Sequence, residues 1–365
     1  MSDDLSRYHR QTLLPGIGEA GQRRLLDSCA IILGCGALGS LVADLLARAG
    51  VGHLKIVDRD FVELTNLQRQ LLFDEQDVEE AIPKAEAARR RLSKINSSIR
   101  VTAIVDDLNH TNIERHTADA DVFVDGLDNF ETRYLVNDFA VSHGIPYVYG
   151  GAVGTVGASF AILPHTVGGD APWESTQHGN LASPCLRCLF EEAPPPGSMP
   201  TCDTAGVLAP AVTTVASFEV AEAIKILTRN FANVSRTMLN IDLWNNTISQ
   251  LKVARAYDDG NCPCCKQRRF DYLDGALGSG ATTLCGRDAV QLTHKQDAPD
   301  LDLDAIAMQL KGHGDVVSSR YMLRAAITDN GKPYSLSLFP DGRAIVHGTA
   351  EASVARSVYA KFIGS

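Results

Sequence analysis

Residues 29–39 read CAIILGCGALG, a short apolar run followed by three glycines spaced G-x-G-x-x-G. No other stretch narrows the fold as much. A continuous apolar run ending in glycine has the pattern of a parallel strand buried on both faces. The next segment, ALGSLVADLLARA (37–49), carries apolar residues at helical spacing. HLKIVD (53–58) is a second strand pattern, and it ends in an acid. Strand, glycine turn, helix, strand is a βαβ unit. Gly34, Gly36 and Gly39 let the backbone approach a phosphate. Ala37 and Leu38 open the helix whose unpaired N–H groups would face that anion. Asp58 follows Gly39 by nineteen residues, where a carboxylate can accept from ribose hydroxyls.

The pattern continues down the chain. KAEAARRRLSKI (84–95) predicts an amphipathic helix, and VTAIVD (101–106) and ADVFVDGLD (120–128) predict strands. PYVYGGAVGTVGASFAILP (146–164) predicts strands joined by glycine turns. The alternation argues for a doubly wound, Rossmann-like, mostly parallel α/β sheet. Residues 164–184 and 193–201 read as surface loops. A long apolar-periodic helix is expected over 211–228, and an antiparallel edge hairpin over 238–253. Composition shifts at 256–284. We therefore expect a nucleotide-binding domain over 1–265, a linker over 266–280 and a small α+β domain over 281–365. In the last, DLDAIAMQLK and EASVARSVYAKFIG predict helices, and SRYMLRAAITD, YSLSLFP and RAIVHGT predict strands.

Composition excludes several classes. With 45% hydrophobic and 21% charged residues in 365, the chain is neither disordered nor fibrous. A net charge of −10 lacks the cationic face that sequence-independent nucleic-acid binding needs. No apolar run approaches the ~20 residues that span a bilayer, and the polar start MSDDLSRYHRQ has no signal-peptide pattern. A cytoplasmic address is expected.

The choice between NAD and ATP turns on the residues after the second strand. The run Asp58-Arg59-Asp60-Phe61-Val62-Glu63-Leu64-Thr65-Asn66-Leu67-Gln68-Arg69-Gln70 is polar where a dehydrogenase would proceed to its next helix. Lys84 opens a helix after a proline, and Arg7 and Arg10 stand near the N-terminus. A triphosphate needs several cations, and arginine suits bidentate phosphate contacts. Asp128, with Asn129 in GLDN at a strand's C-terminal end, could hold Mg²⁺ through oxygen. Together these favour ATP over a nicotinamide-dependent oxidoreductase.

Nine cysteines in a chain without secretory features read as metal or redox groups. Cys185 and Cys188 form one C-x-x-C, and Cys262 and Cys265 form another within CPCC. Two such pairs supply the four thiolates of a structural Zn²⁺, with Cys264 left as the odd thiol. A redox pair is the alternative. Cys202 stands apart in TCDTAGV, after the proline-rich 193–201 segment.

RYHRQ (7–11), GCGALG (34–39), DRDFVELTNLQRQ (58–70), PKAEAA (83–88), GLDNFETR (126–133), PCLRC (184–188), TCDTAGVLAP (201–210) and CPCC (262–265) occur in the order seen in the ThiF/MoeB family. This bacterial family is similar to ubiquitin-activating enzymes, and the resemblance covers residues 1–265. It implies adenylation of the C-terminal glycine of a ubiquitin-like sulfur carrier ending in Gly-Gly. It also implies that the glycine turn and Asp58, with Asp60 and Gln70 nearby, bind the nucleotide. Asn66, Arg69 and Lys84 would contact phosphates, and Asp128 would be the magnesium-linked acid. The arginine matching Arg10 reaches the partner subunit's site, which implies a homodimer. A cysteine matching Cys202 is linked to covalent capture of the activated carrier, with a cysteine desulfurase or another sulfur donor as a further partner. Ala37 departs from a commoner glycine, and the 164–184 loop is longer than expected. The tail resembles the extension of longer ThiF-type proteins, which favours thiamine-thiazole sulfur transfer over MoeB-type activation of a molybdopterin synthase subunit. A non-enzymatic zinc scaffold is the third alternative. Cys285 is expected to be a core cysteine of the tail domain.

Overall fold

Strand β1 (Cys29–Leu33) is buried at every residue because it runs through the middle of an eight-stranded sheet. The computed structural model describes residues 3–192, 202–277, 283–284, 289–292, 301–329, 331–340 and 342–363. β1 pairs in parallel with β2 (His53–Val57) on one side and β4 (Val122–Asp125) on the other, with Ile32 level with Ile56 and Val124. Adding β3 (Arg100–Ile104), β5 (Tyr147–Val153), β6 (Val156–Ile162), β7 (Thr237–Asp242) and β8 (Thr247–Lys252) gives the order β3-β2-β1-β4-β5-β6-β7-β8. β3 through β5 are parallel; β6, β7 and β8 are antiparallel. The chain builds outward from β1 to β3, then returns to β4 on the other side of β1. The crevice of such a sheet lies at this reversal, past the C-terminal ends of β1 and β4.

The two faces of the sheet take helices for different reasons. Alternate side chains Phe123, Tyr147 and Phe160 face the helix Phe130–His143, which returns Tyr134 and Phe139. The rings of Phe123 and Phe139 meet edge to face, with centroids 6.1 Å apart. Burying each such ring contributes about 1.5–3 kcal/mol. On the other face the helices Ala37–Ala49 and Ala209–Leu227 pack against each other and against β4. The helix Ala37–Ala49 ends at Gly50, whose φ of +82° is the left-handed conformation a helix terminus favours in glycine.

The chain divides into two compact units. The first holds Met1–Val78, Pro83–Pro194 and Ala205–Leu277; the second holds Gly278–Ser365 with the short segments Glu79–Ile82 and Pro195–Thr204. The second unit is built on a separate sheet, entirely antiparallel, in the order β11-β12-β13-β14-β10-β9. Its strands are β9 (Thr283–Leu284), β10 (Ala289–Leu292), β11 (Gly314–Ser318), β12 (Leu323–Asp329), β13 (Lys332–Leu338) and β14 (Ala344–His347). The helices Leu303–Leu310 and Ala352–Phe362 close its core around Leu336, Leu338 and Val346. Asp302 caps the first of these, accepting from the N–H groups of Asp304 and Ala305. Strand β11 was not expected; its residues are almost all exposed and carry no apolar alternation to announce it.

Two other expectations need correction. Residues 266–277 are not a linker. Tyr272 N donates to Asp138 Oδ2 at 3.0 Å, and Asp271 receives Arg187 at 3.1 Å, so this stretch belongs to the first unit. The loop 164–184 is not merely a surface excursion. Trp173 is 5% exposed, donates its indole N–H to Pro164 O at 2.8 Å and meets Phe231 edge to face. A large amphipathic side chain can fold a glycine-rich loop onto the body when its N–H finds a carbonyl. The 193–201 segment and Cys285 lie outside the described residues. Among the described residues no helix is long and apolar enough to cross a membrane.

Candidate nucleotide site and four-cysteine cluster

The three glycines of the turn do three different things. Gly34 has φ +83°, and a Cβ there would stand 2.5 Å from Gly126 O. A Cβ on Gly39 would stand 1.9 Å from Gly34 O, so only glycine allows the helix to sit this close to the strand end. Gly36 is different. Its nearest neighbours would be Gly126 O at 3.9 Å and Gln70 Nε2 at 4.0 Å, so this position is open. The protein needs glycine at 34 and 39 for its own packing. At Gly36 the lack of a side chain leaves room for something else. Gly36 is also the N-cap of the helix Ala37–Ala49 and supplies no side-chain cap, so the helix's first N–H groups lack one there.

The residues around this opening are polar. Asp58 accepts from Cys35 N at 2.6 Å and Asp60 N at 2.7 Å, which fixes its carboxylate at the mouth of the turn. Burial pushes Asp58 up to about 6, against the opposing pull of Lys84. Lys84, 4% exposed, opens the helix Lys84–Ile95 and places Nζ 3.1 Å from Asp60 Oδ2. Arg59 pairs with Asp107 at 2.7 Å. Burial works against the Arg59 charge, but Asp107, then Asp60, Asp128 and Asp58, outweigh it and raise its pKa. Asn66 and Gln70 are 2% and 3% exposed. Asn66 Oδ1 and Gln70 Oε1 have no hydrogen-bond partner among the described residues. Leaving such atoms buried and unpaired costs about 1–3 kcal/mol each. A nucleotide offers both kinds of partner: ribose hydroxyls donate, and phosphate oxygens accept from the amide's other end.

The remaining residues of the expected site fall in four places. Arg69 donates to Thr65 O at 2.9 Å and has no ion pair among the described residues. Asp128 is exposed just beyond β4. Asn129 donates to it at 3.3 Å and caps the helix Phe130–His143 by accepting from Thr132 N at 2.8 Å. Asn129 thus has a structural task that its sequence pattern did not announce. Arg10 lies exposed in the turn His9–Thr12, beside Gln11, which donates to Ala49 O at 2.9 Å. Ala49 is at the far end of the thirteen-residue helix that begins at the glycine turn, roughly 20 Å away at 1.5 Å per residue. Arg10 is therefore not part of its own chain's glycine turn. Cys202 opens the short helix Cys202–Ala205 and is partly exposed.

Behind the turn lies a group that sequence reasoning missed. Asp125, fully buried at the end of β4, accepts from Arg133 Nε at 3.0 Å, Tyr147 Oη at 2.6 Å and Leu127 N at 2.8 Å. Arg133 also donates to Leu127 O and Gly150 O, at 2.7 and 2.9 Å. This lattice holds the segment 125–129 and hence Asp128. The only signal was an arginine at the end of GLDNFETR (126–133), which gives no hint of its partners.

The four cysteines converge. Cys185 Sγ lies 3.8 Å from Cys188 Sγ and 3.6 Å from Cys262 Sγ, and Cys188 Sγ lies 3.3 Å from Cys265 Sγ. A tetrahedral zinc with bonds of about 2.3 Å sets its sulfurs about 3.8 Å apart, so the thiols suit that ion. Cys264 is not one of the four, although it also interacts with Cys185. It is fully buried and accepts from Asn137 Nδ2 at 3.4 Å, while Asn137 Oδ1 accepts from Leu186 N at 2.8 Å. Arg187, between the first two cysteines, pairs with Asp138 and Asp271.

A doubly wound, mostly parallel sheet with an open glycine turn at its crevice defines a protein of the Rossmann-like class. Comparison with known proteins narrows this. The model of the ThiF family matches residues 8–264, and the chain belongs to that family. It is 42% identical to "Sulfur carrier protein ThiS adenylyltransferase" of Bacillus subtilis (strain 168) across 98% of this chain and 99% of that protein. It is 39% identical to "Sulfur carrier protein adenylyltransferase" of Thermus thermophilus, covering 72% of this chain and 91% of the other. Among solved structures, E. coli MccB determined with ATP matches with a TM-score of 0.57 and 25% identity, over 71% of this chain and 74% of that one. Proteins named "Adenylyltransferase and sulfurtransferase MOCS3" are 33–36% identical, but only about half of their length is matched.

Proposed function

We propose that this chain is an ATP-dependent adenylyltransferase acting on the C-terminal glycine carboxylate of a ThiS-like sulfur-carrier protein, in sulfur transfer for the thiazole of thiamine. One observation carries the reading. The match to the B. subtilis protein runs from end to end, including a tail that the shorter T. thermophilus and E. coli matches do not span. The match to the ThiS adenylyltransferase of E. coli, at 35% over 72% of this chain, points the same way.

The chemistry needs little acid–base help. A C-terminal carboxylate ionises near 3.5, so at neutral pH it is already a nucleophile. The work is to bring that anion onto the α-phosphorus of ATP and stabilise the charge that develops. The open backbone at Gly36 and the first N–H groups of the helix Ala37–Ala49 would hold phosphate oxygens. Asp58 would accept from the ribose. Asn66 and Gln70 would turn their buried amides toward the nucleotide. Arg69 and Lys84 would face the triphosphate, Lys84 leaving Asp60 to do so. Asp128, with Asp60 nearby, would hold Mg²⁺, which supplies charge neutralisation on the phosphates. The products are the acyl-adenylate and pyrophosphate. Cys185, Cys188, Cys262 and Cys265 would hold a structural Zn²⁺; with four thiolates bound it has no open position and takes no part in the reaction. Arg10, with no ion pair among the described residues of its own chain, would serve the site of a second copy in a homodimer. Cys202 would act after adenylation, in covalent capture of the carrier and exchange with a sulfur donor such as a cysteine desulfurase.

The test is pyrophosphate exchange into ATP with a purified ThiS-like carrier ending in Gly-Gly and with a MoaD-like carrier. Exchange with the ThiS-like protein and not the other supports the reading. Exchange with neither, in protein that binds Mg-ATP, overturns it.

A further inference from the structure

A second group of metal-ligating side chains, with a single cysteine, lies at the opposite end of β1 from the glycine turn. Cys29 begins β1 and His53 begins β2, and the two are directly paired across the parallel ladder. Cys29 Sγ is 3.7 Å from His53 Nδ1. The other ring nitrogen of His53 is 2.9 Å from Thr102 Oγ1 on β3. With Nε2–H donating to that hydroxyl, Nδ1 is left as a lone pair aimed at the sulfur. Asp119, in the turn before β4, brings a carboxylate oxygen to the same place: all three donor atoms lie within 4.8 Å of one another.

We propose that Cys29, His53 and Asp119 form a second site for a divalent transition metal, of the class that includes Zn²⁺ and Co²⁺. The sulfur-to-nitrogen distance suits the ion. Zinc bonds of about 2.3 Å to sulfur and about 2.05 Å to nitrogen, at a tetrahedral angle, separate the two donors by about 3.6 Å. Cys29 is 8% exposed, and Thr102 holds the imidazole orientation, as the outer partner of a metal-bound histidine does. Asp119's side chain is more than half exposed and so has room to turn toward the other two donors. Three protein donors leave a fourth position for water.

The site has a built-in competitor. Lys55 Nζ is paired with Asp119 and donates to His116 O at 3.3 Å. In the metal-free state the ammonium holds the carboxylate that the metal would take. Asp121 fixes the Cys29 end, accepting from Cys29 N at 2.7 Å, and Arg100 is the other cation nearby. Burial, then Asp119, pushes the Cys29 thiol up to about 12, and burial lowers His53. The site is therefore not a reactive thiolate–imidazolium pair. On binding, the sulfur–metal bond replaces the S–H bond, one proton goes to water, and Lys55 moves off Asp119. Neutral His53 and ionised Asp119 release none.

This site shares no ligand with the four-thiolate cluster, so its test is a difference. Full-length protein is equilibrated with Zn²⁺, passed over a desalting column and assayed for metal per chain, and the same is done with Co²⁺ to read sulfur-to-cobalt charge transfer. Wild type should carry one equivalent more than Cys29→Ser and one more than His53→Gln. Cys188→Ala should lose a different equivalent. Lys55→Met should tighten the site at least several-fold in a Zn²⁺ titration. Equal metal content in wild type, Cys29→Ser and His53→Gln, all folded by circular dichroism, overturns the proposal. A Lys55→Met protein that binds this equivalent no more tightly than wild type also overturns it.

Discussion

The glycine turn and the four-cysteine cluster lie in one compact unit but are built on opposite plans. Around the turn, groups are left open: a helix start without a side-chain cap, Gly36 with room for a side chain, and buried amide oxygens without partners among the described residues. Around the cysteines the groups are closed on themselves. Three of the four thiols are at least nine-tenths buried, and the surrounding amide and carboxylate, Asn137 and Asp138, are both engaged. The first arrangement suits a ligand that arrives and leaves. The second suits one that stays. An open site carries its unsatisfied groups as a stability cost until ligand binds, whereas a closed site contributes to holding the fold.

Substitutions can break that contrast. The largest effect is expected at the open site and only on activity. Asp128→Ala and Arg69→Ala should each reduce carrier-dependent pyrophosphate exchange by about 10²-fold or more, while urea midpoints stay near wild type. Exchange within a few-fold of wild type in both would remove them from the site. Next comes the closed cluster. Cys188→Ala should cost about 4 kcal/mol or more in urea unfolding and lose that cluster's metal equivalent by elemental analysis. The glycines separate the two plans within one turn. Gly39→Ala would drive a Cβ to 1.9 Å from Gly34 O and should destabilise by about 3 kcal/mol. Gly36→Ala should leave stability within about 0.5 kcal/mol and raise the KM for ATP. Equal loss of stability in the two would make Gly36 structural.

The pH dependence is smaller. Asp58 is raised to about 6 in the folded chain, against about 3.9 unfolded. Between those values the native state holds more protons. The ligand-free protein should therefore lose stability as pH rises from about 4 to about 6 and show no further change from this group above that. ATP binding should run the other way. It should weaken as pH falls through about 6, because a protonated Asp58 no longer accepts from two ribose hydroxyls; Asp58→Asn should flatten that limb. The smallest effect is expected at Cys264→Ser, which should keep the cluster's zinc and lose about 1 kcal/mol, since Cys264 accepts from Asn137 and is not one of the four converging thiols. Loss of zinc there would reassign the fourth ligand.

Much of the fold and of the site was legible in residue order alone. The βαβ start, the acid that follows its second strand, the paired C-x-x-C spacing and the antiparallel hairpin of β7 and β8 are local patterns, written within a few turns of chain. Less legible were groups whose meaning lies in distant partners. Arg133 reads as a surface residue until Asp125, Tyr147 and Gly150 surround it. The 164–184 loop reads as solvent-facing until Trp173 finds Pro164 O and Phe231. Residues 266–277 read as a linker until Asp271 and Tyr272 meet Arg187 and Asp138.

By itself, the sequence determined where the glycine turn falls, which acid comes after it and which thiols share a spacing. Each of these is a short-range property of residue type and order. Only the tertiary structure distinguished the packing glycines, 34 and 39, from the open one, 36. It also brought Cys29 to His53 and Asp119, from two adjacent strands and a loop far apart in the chain. The physical reason is the parallel sheet. Its neighbouring strands are joined by long crossovers, so the groups it sets side by side share no local signature.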